Sequence, residues 1–430
     1  MTVHSAASSG LALERTTLPN GITVLAKNTR SIPAVTINLA VRTGSSGDPP
    51  GIPGAMYLLS RMIDRGTEAR SAADIAEDLD GRGITVTVNV TRHVLSLACT
   101  CLTEDFEPVF ALLGEIVMRP SFPASELTTR KAEVATTIRQ DEDNPAVRAV
   151  ETLMAMLYPN GHPYGRPQKG SLDVVEGISR ERLVRLHADR FAPSELSIAV
   201  VGDVPVAKAA DVAARVFEPW HALAPPPLTL TSVPPATARR RHVIPMMNKS
   251  QADVAYGFVA VERSDPAYYA CWLMNNVLGQ YAMGGRLGDS IRERQGMAYY
   301  VFSNLDAGLV PGPLMIRAGV SPANVDRTID SIDEEVGRFI RDGVTGKELK
   351  ESQQYLIGSM PRALETNAGI ATFLQTEEFF GLGLDYDRRL PDLLNAVTAD
   401  DIREVARRSM DPERATLVIA GPYDERPAAA

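Results

Sequence analysis

Hydrophobic and polar positions alternate with a period of two over several short stretches of this chain and recur at helical spacing over longer ones. Val35, Ile37, Leu39 and Val41 alternate with smaller or polar neighbours, the pattern of a half-buried strand. Val86, Val88 and Val90 interleave with Thr and Asn, and Leu95, Leu97, Cys99 and Cys101 repeat the alternation after a tight reversal, which predicts a hairpin. Leu18-Pro19-Asn20-Gly21 reads as a turn, and the residues up to Gly10 as a loose tail. A Gly/Pro/Ser loop over 44–53 leads into a helix near 55–65, and a second helix covers 72–79. Phe106, Val109, Phe110, Leu113 and Val117 fall on one helical face, a longer helical segment runs over 124–157, and another helix covers 180–190. A strand over 196–201 closes the half. Strands in runs and then helices in runs predict an α+β fold.

The second half repeats this plan at a countable offset. Ile178-Ser179 opens a helix that leads through Phe191 and Pro193 to a strand ending at Gly202, and Val397-Thr398 leads through Met410 and Pro412 to Gly421. The shifts agree: 397 − 178 = 219, 412 − 193 = 219 and 421 − 202 = 219. Phe110, Leu113 and Val117 fall on Ile329, Ile332 and Val336 at the same shift. A constant offset over separated elements indicates one fold duplicated. The join is the proline-rich stretch from Pro225 to Pro235, a stiff linker that ends in Arg239-Arg240-Arg241, read as a solvated linker end rather than a binding site. The expected organisation is an N-terminal domain over 11–220, a linker over 221–240 and a C-terminal domain over 241–425.

A chain of 430 residues, 44% of them hydrophobic, has material for more than one core. The net charge of −9 argues against binding nucleic acid by phosphate neutralisation. No apolar run approaches the roughly 20 residues that span a bilayer, so a soluble protein is expected. The N-terminus lacks the basic start and apolar segment of an export signal. It fits either a natural cytoplasmic start or a mature secreted chain given a new Met, the periplasm being favoured in the second case. Cys99, Cys101 and Cys271 form no Cys-x-x-Cys pair and read as buried structural residues. The histidines (His4, His93, His162, His187, His221 and His242) offer no pair at helical spacing.

One stretch carries candidate chemistry. From Gly284 to Tyr300 the chain reads as a short polar helix closed by Gly296 and followed by a strand opening at Ala298. Arg292 falls in the last helical turn and Tyr299 just past the reversal, so both donors can address one space. A guanidinium fork with a phenolic hydroxyl suits a peptide carbonyl and the negative charge that develops on it during hydrolysis. On these residues alone the other reading is a solvated helix charge near Asp289 and an ordinary strand aromatic.

Arg292-Glu293-x-x-Gly296-Met297-Ala298-Tyr299 resembles the C-terminal-domain signature of the pitrilysin/insulinase metallopeptidases, in the subfamily that includes mitochondrial processing peptidase. Leu18-Pro19-Asn20-Gly21, His162-Pro163-Tyr164-Gly165 and Ser250-Gln251-Ala252 resemble further pieces of that family in the same order, over almost the whole chain. The resemblance implies two homologous domains, each a mainly antiparallel sheet packed with helices, arranged as a clamshell. It also implies that Arg292 and Tyr299 hold substrate and stabilise the intermediate. Active members carry His-x-x-Glu-His on the first long helix and a further Glu as third zinc ligand. Anchored on Arg65-Gly66-Thr67, this chain places Tyr57 and Arg61 at the histidines and Ser60 at the general base. Anchored on Glu142-Asp143-Asn144-Pro145, it places Thr137 at the third ligand, next to Thr136, with Glu133 nearby. None of these can replace what is missing, so no metal is expected in this chain.

The combination is similar to the non-zinc subunit of the heterodimeric members. It implies a zinc-bearing homologous partner subunit that supplies the metal, with a peptide or unfolded polypeptide as substrate. Two alternatives stand beside it: a structural homologue similar to the core subunits of the respiratory cytochrome complex, and a peptide-binding module. The stretch Gly279-Gln280-Tyr281-Ala282-Met283-Gly284-Gly285 is shorter and less glycine-rich than the loop that handles presequences in the mitochondrial enzyme, and reads as a plain turn. Short peptides or unfolded segments are therefore expected rather than presequences.

Overall fold

The structure is a computed structural model that describes the backbone of residues 2–5 and, in full, residues 10–280 and 285–424. The chain forms two compact units, and neither is a continuous run of sequence. The first comprises residues 1–138, 167–228 and 359–389, the second residues 139–166, 229–358 and 390–430.

The first unit is built on β1 (Thr2–Ser5), β2 (Glu14–Thr17), β3 (Thr23–Asn28), β4 (Ala34–Val41), β5 (Thr87–Val90), β6 (Leu95–Leu102) and β7 (Leu196–Gly202). They order as β1-β2-β3-β7-β4-β6-β5. All pairs are antiparallel except β3 with β7. The second unit holds β8 (Arg240–Pro245), β9 (Ala252–Val259), β10 (Ala298–Leu305), β11 (Pro313–Val320) and β12 (Thr416–Gly421), ordered β10-β11-β9-β12-β8 with β12 and β8 parallel. The second sheet repeats the first without β1 and β2. Both units are therefore α+β, each a mainly antiparallel sheet covered by helices.

The duplicated register appears element by element. Helix Arg180–Arg190 and helix Ala399–Ser409 are 219 apart at both ends (399 − 180 and 409 − 190), and each is capped by a hydroxyl, Ser179 on the Arg182 amide and Thr398 on the Asp401 amide. Both faces of each central strand are buried. In the first unit the main core joins the sheet to helices Ala55–Met62, Phe106–Met118, Arg180–Arg190 and Val206–Phe217 through residues such as Ile37, Leu59, Phe110, Leu183 and Phe217. Its other face packs Leu25, Ala199 and Val201 against Ile370, Ala371 and Leu374 of helix Asn367–Phe380. In the second unit helix Pro145–Leu157 covers the equivalent face, setting Ala149, Leu153, Met154 and Leu157 on Ala255, Val259, Met315 and Val418.

Three expectations change. The helical segment over 124–157 is two helices, Ala124–Glu142 and Pro145–Leu157. Pro145 has no N–H to continue the first helix and pushes Asn144 out of the helical region (φ −104°, ψ 110°), where its side chain caps the second helix through the Ala146 amide. The N-terminal tail contains a strand, with Thr2 to Ser5 paired on Thr17 to Glu14. The basic run is not a solvated linker end either. Arg240 and Arg241 lie in β8, Arg239 forks onto Asp333 at 2.8 and 3.0 Å, and Arg240 donates to the Met156 carbonyl and Thr416 at 2.7 Å each. Among the described residues no helix is long and apolar enough to cross a membrane.

Candidate functional site

The segment that carries Arg292 is a wide helical turn, Gly288–Arg294, with Ser290 and Ile291 facing inward and Arg292 outward. Its start is anchored by Arg286, which forks onto Glu348 at 2.7 and 2.8 Å, donates to the Gly343 carbonyl at 2.9 Å and lies 4.2 Å from the Phe339 ring centre. Burial works against the Glu348 charge, but Arg286 and the amide and hydroxyl of Thr345 outweigh it and hold the carboxyl at about 2. The end of the turn is closed by the amides of Gly296 and Met297, which donate to the Arg292 and Ile291 carbonyls at 3.1 Å each. Gly296 takes φ +61°, the left-handed conformation that favours glycine and turns the chain into β10. The expected helix, reversal and strand are thus present. The expected plain turn at 279–285 falls partly on residues 281–284, outside the described residues, while Gly279 and Gln280 lie in a second wide turn, Asn276–Gln280.

The Arg292 side chain is 45% exposed, and Glu293 approaches it at 3.8 Å, a loose ion pair beside the 3.1 Å one between Arg294 and Asp289. Tyr299 is 64% exposed. The ladder explains why an aromatic at the start of a strand stands so far out. Ala298 pairs with Val320 and Tyr300 with Gly319, so two residues of β10 advance against one of β11, and Tyr299 is the extra residue of a β-bulge. Its neighbour Tyr300 turns the other way, half-buried, and donates its hydroxyl to the carboxylate of Asp253. Sequence reasoning missed both the bulge and Asp253; the signal was an acid inside the otherwise apolar run from Ala252 to Val259.

The residues expected at a degenerate zinc motif, Tyr57, Ser60, Arg61 and Thr137, lie in the first unit. Asp48 fixes the start of helix Ala55–Met62 by accepting from the Gly54 and Met56 amides at 2.7 Å each. Tyr57 is half-buried against the core, and Ser60 is buried with its hydroxyl donated to the Tyr57 carbonyl at 2.7 Å. Arg61 is exposed. Thr137 donates to the Glu133 carbonyl at 3.0 Å and Thr136 to Ala132 at 2.9 Å, each within its own helix. Burial raises the nearby Asp64 carboxyl, and Arg65, Arg61 and Arg130 oppose that rise. Guanidinium charge from Arg65, Arg61 and Arg130 therefore stands around this helix end. Two hydroxyls committed to backbone carbonyls, a phenol and a cation do not fit a zinc ion. Among the described residues no group of three or more His, Cys, Asp or Glu is placed to hold a metal.

Family models for insulinase (peptidase family M16) and for the peptidase M16 inactive domain match residues 23–168 and 177–356 respectively. The chain belongs to the M16 peptidase family. A crystal structure of the peptidase M16 inactive domain from Pseudomonas fluorescens superposes with a TM-score of 0.88 at 25% identity, covering 95% of this chain and 98% of that one. The Bacillus subtilis protein named Uncharacterized zinc protease YmxG is 26% identical over 95% of this chain and 98% of its own. The Helicobacter pylori protein named Non-peptidase homolog YmxG is 22% identical over 93% of this chain and 91% of its own. Within the M16 fold this chain thus combines a helix without zinc-ligating side chains and an exposed Arg292 and Tyr299 on a closed reversal.

Proposed function

We propose that this M16 chain is the non-zinc subunit of a two-chain peptidase, supplying Arg292 and Tyr299 in trans to a substrate held at the His-x-x-Glu-His zinc site of a homologous partner. The observation that carries the reading is the asymmetry between the two stretches. Tyr57, Ser60, Arg61 and Thr137 offer no imidazole or carboxylate to hold zinc or to take a proton from a hydrolytic water. Arg292 and Tyr299 remain exposed donors on a segment anchored at one end by Arg286 and closed at the other by Gly296. Donors aimed at a developing oxyanion lower the barrier without any metal of their own. The substrate class is a peptide or an unfolded polypeptide, and the zinc belongs to the partner.

The test is reconstitution. The purified chain alone should hydrolyse no peptide, and mixing it with a zinc-bearing M16 homologue from the same organism should produce peptidase activity that neither protein shows by itself. Unaided cleavage by this chain would end the proposal.

A second reading, a catalytically inactive structural or peptide-binding homologue, draws on the name of the Helicobacter relative. It predicts that the chain assembles with other proteins, or captures peptide, without any activity on mixing.

A further inference from the structure

Tyr300, Gly319 and Asp253 form one row across three neighbouring strands: Tyr300 of β10 pairs with Gly319 of β11, which pairs with Asp253 of β9. The middle position has no side chain, and one there would displace both neighbours from their present places. A Cβ on Gly319 would lie 2.4 Å from Tyr300 Cε1 and 2.4 Å from Gln251 Nε2. The tyrosine ring therefore lies over bare glycine backbone and carries its hydroxyl to the far strand, where it donates to Asp253 Oδ1. Gln251 Nε2 donates to the same carboxylate at 3.1 and 3.2 Å. Asp253 is 3% exposed; burial pushes its carboxyl up, and Tyr300, Gln251 and Arg317 oppose that rise. A buried acid costs stability unless its partners hold it.

The duplicated unit shows that the fold does not demand this acid. Asp253 pairs with Ala420 and Gly319, and Thr36 pairs with Val201 and Thr100. The neighbours match at the repeat offset, 420 − 201 = 219 and 319 − 100 = 219, so Thr36 is the counterpart of Asp253. There the row is a neutral pair, Thr36 and Thr100, with hydroxyl oxygens 2.8 Å apart. The edge strand differs too. The first pair of β5, Thr87 with Ala98, corresponds to Phe302 with Arg317 (317 − 98 = 219), so the bulged opening of β10 has no strand counterpart in the first unit.

A bulge inserts one residue into a ladder, and where it falls decides which residue is unpaired. We infer that Asp253 is a positioning residue for Tyr299: tied to Gln251 and Tyr300 across Gly319, it fixes the bulge so that Tyr299 is the residue presented to substrate. The inference rests on the role proposed above for Tyr299, and its test separates the two.

A fluorotyrosine placed at position 299 of the full chain reports its surroundings directly. With the circular dichroism spectrum unchanged, its fluorine resonance shifts or broadens in Tyr300→Phe and in Asp253→Thr, the latter copying Thr36. It stays in place in Asp253→Asn, which keeps an acceptor for the hydroxyl. In the reconstituted pair, assayed on an internally quenched unfolded peptide, the first two variants lower kcat about 10- to 100-fold with KM within about twofold. Combined, they cost no more than either alone. A resonance identical to wild type in both overturns the inference whatever the activity does. Full activity of Tyr299→Phe overturns instead the role of the Tyr299 hydroxyl, and the resonance still decides the positioning. Should Asp253→Thr not fold, Tyr300→Phe, which removes one hydroxyl from a half-buried ring, decides alone.

Discussion

Glu377 and Asp387 both bury their carboxyl groups, Asp387 sets its charge against that of Glu377, and neither Glu377 oxygen makes a well-formed hydrogen bond. Burial first, then the charges of Asp387 and Asp385, push the Glu377 carboxyl up to about 8, against the Asp387 amide and Arg389. The folded chain therefore holds a proton that the unfolded chain releases near the ordinary Glu value of 4.5. The stabilisation linked to that proton is fully present below about pH 4.5 and is lost as pH rises through about 8. Glu377→Gln should remove this loss, raising stability at pH 9 by roughly 1–3 kcal/mol while changing little at pH 5. Urea midpoints of the two proteins at both pH values check it; parallel pH profiles would refute the assignment.

Arg292→Ala and Tyr299→Phe change side chains that are about half or more exposed, so each should leave the unfolding free energy unchanged within about 0.5 kcal/mol. Turnover by the reconstituted pair should nonetheless fall by about 10²-fold or more, the cost of one lost oxyanion donor. Unfolding curves and steady-state rates on the same preparations separate the two effects. Full activity in both variants would defeat the in-trans role.

A chain whose fold contained a structural zinc would lose stability with chelator, since binding energy becomes folding energy. The isolated chain should retain no stoichiometric zinc after dialysis, and phenanthroline should leave its melting temperature in place. Elemental analysis showing one zinc per chain would contradict the ligand assignment.

The three thiols are buried, and burial pushes Cys99 and Cys271 up to about 12 and Cys101 to about 11. Alkylation needs the thiolate, so iodoacetamide at pH 8 should add nothing to the native chain and three groups after denaturation. Intact mass reads the count.

Thr398 caps helix Ala399–Ser409 in a reciprocal box, its hydroxyl on the Asp401 amide and the Asp401 carboxylate on its own amide at 2.8 Å. Thr398→Ala should cost about 0.5–2 kcal/mol in urea unfolding. Thr398→Ser should recover most of it.

The punctuation of the fold was legible because it is local. Ser179 and Thr398 cap, Pro193 and Pro412 open short turns, and Gly202 and Gly421 take φ +150° and +139° at strand ends. Each acts within a few residues of itself, so the repeat could be counted from the sequence. The break at Pro145 carries such a signal too, but the helical period on either side of it masks the boundary. The tie of Tyr300 to Asp253 joins residues 47 apart, and the partners of Arg239 lie 94 and 173 residues away. Side chains of that kind announce a polar group but not what will meet it. The bulge at Tyr299 is a matter of pairing, which a single strand does not encode.

Helix Pro145–Leu157 precedes the proline linker yet roofs the sheet that follows it, and helix Asn367–Phe380 does the reverse. Cutting the gene at the linker would leave each fragment with a naked apolar sheet face and an orphan amphipathic helix. Each repeat therefore depends on the other's stretch of chain to cover its sheet. A clean cut in the linker of the finished protein should release nothing, whereas either fragment made by itself should aggregate and recover only when the other is present as it folds.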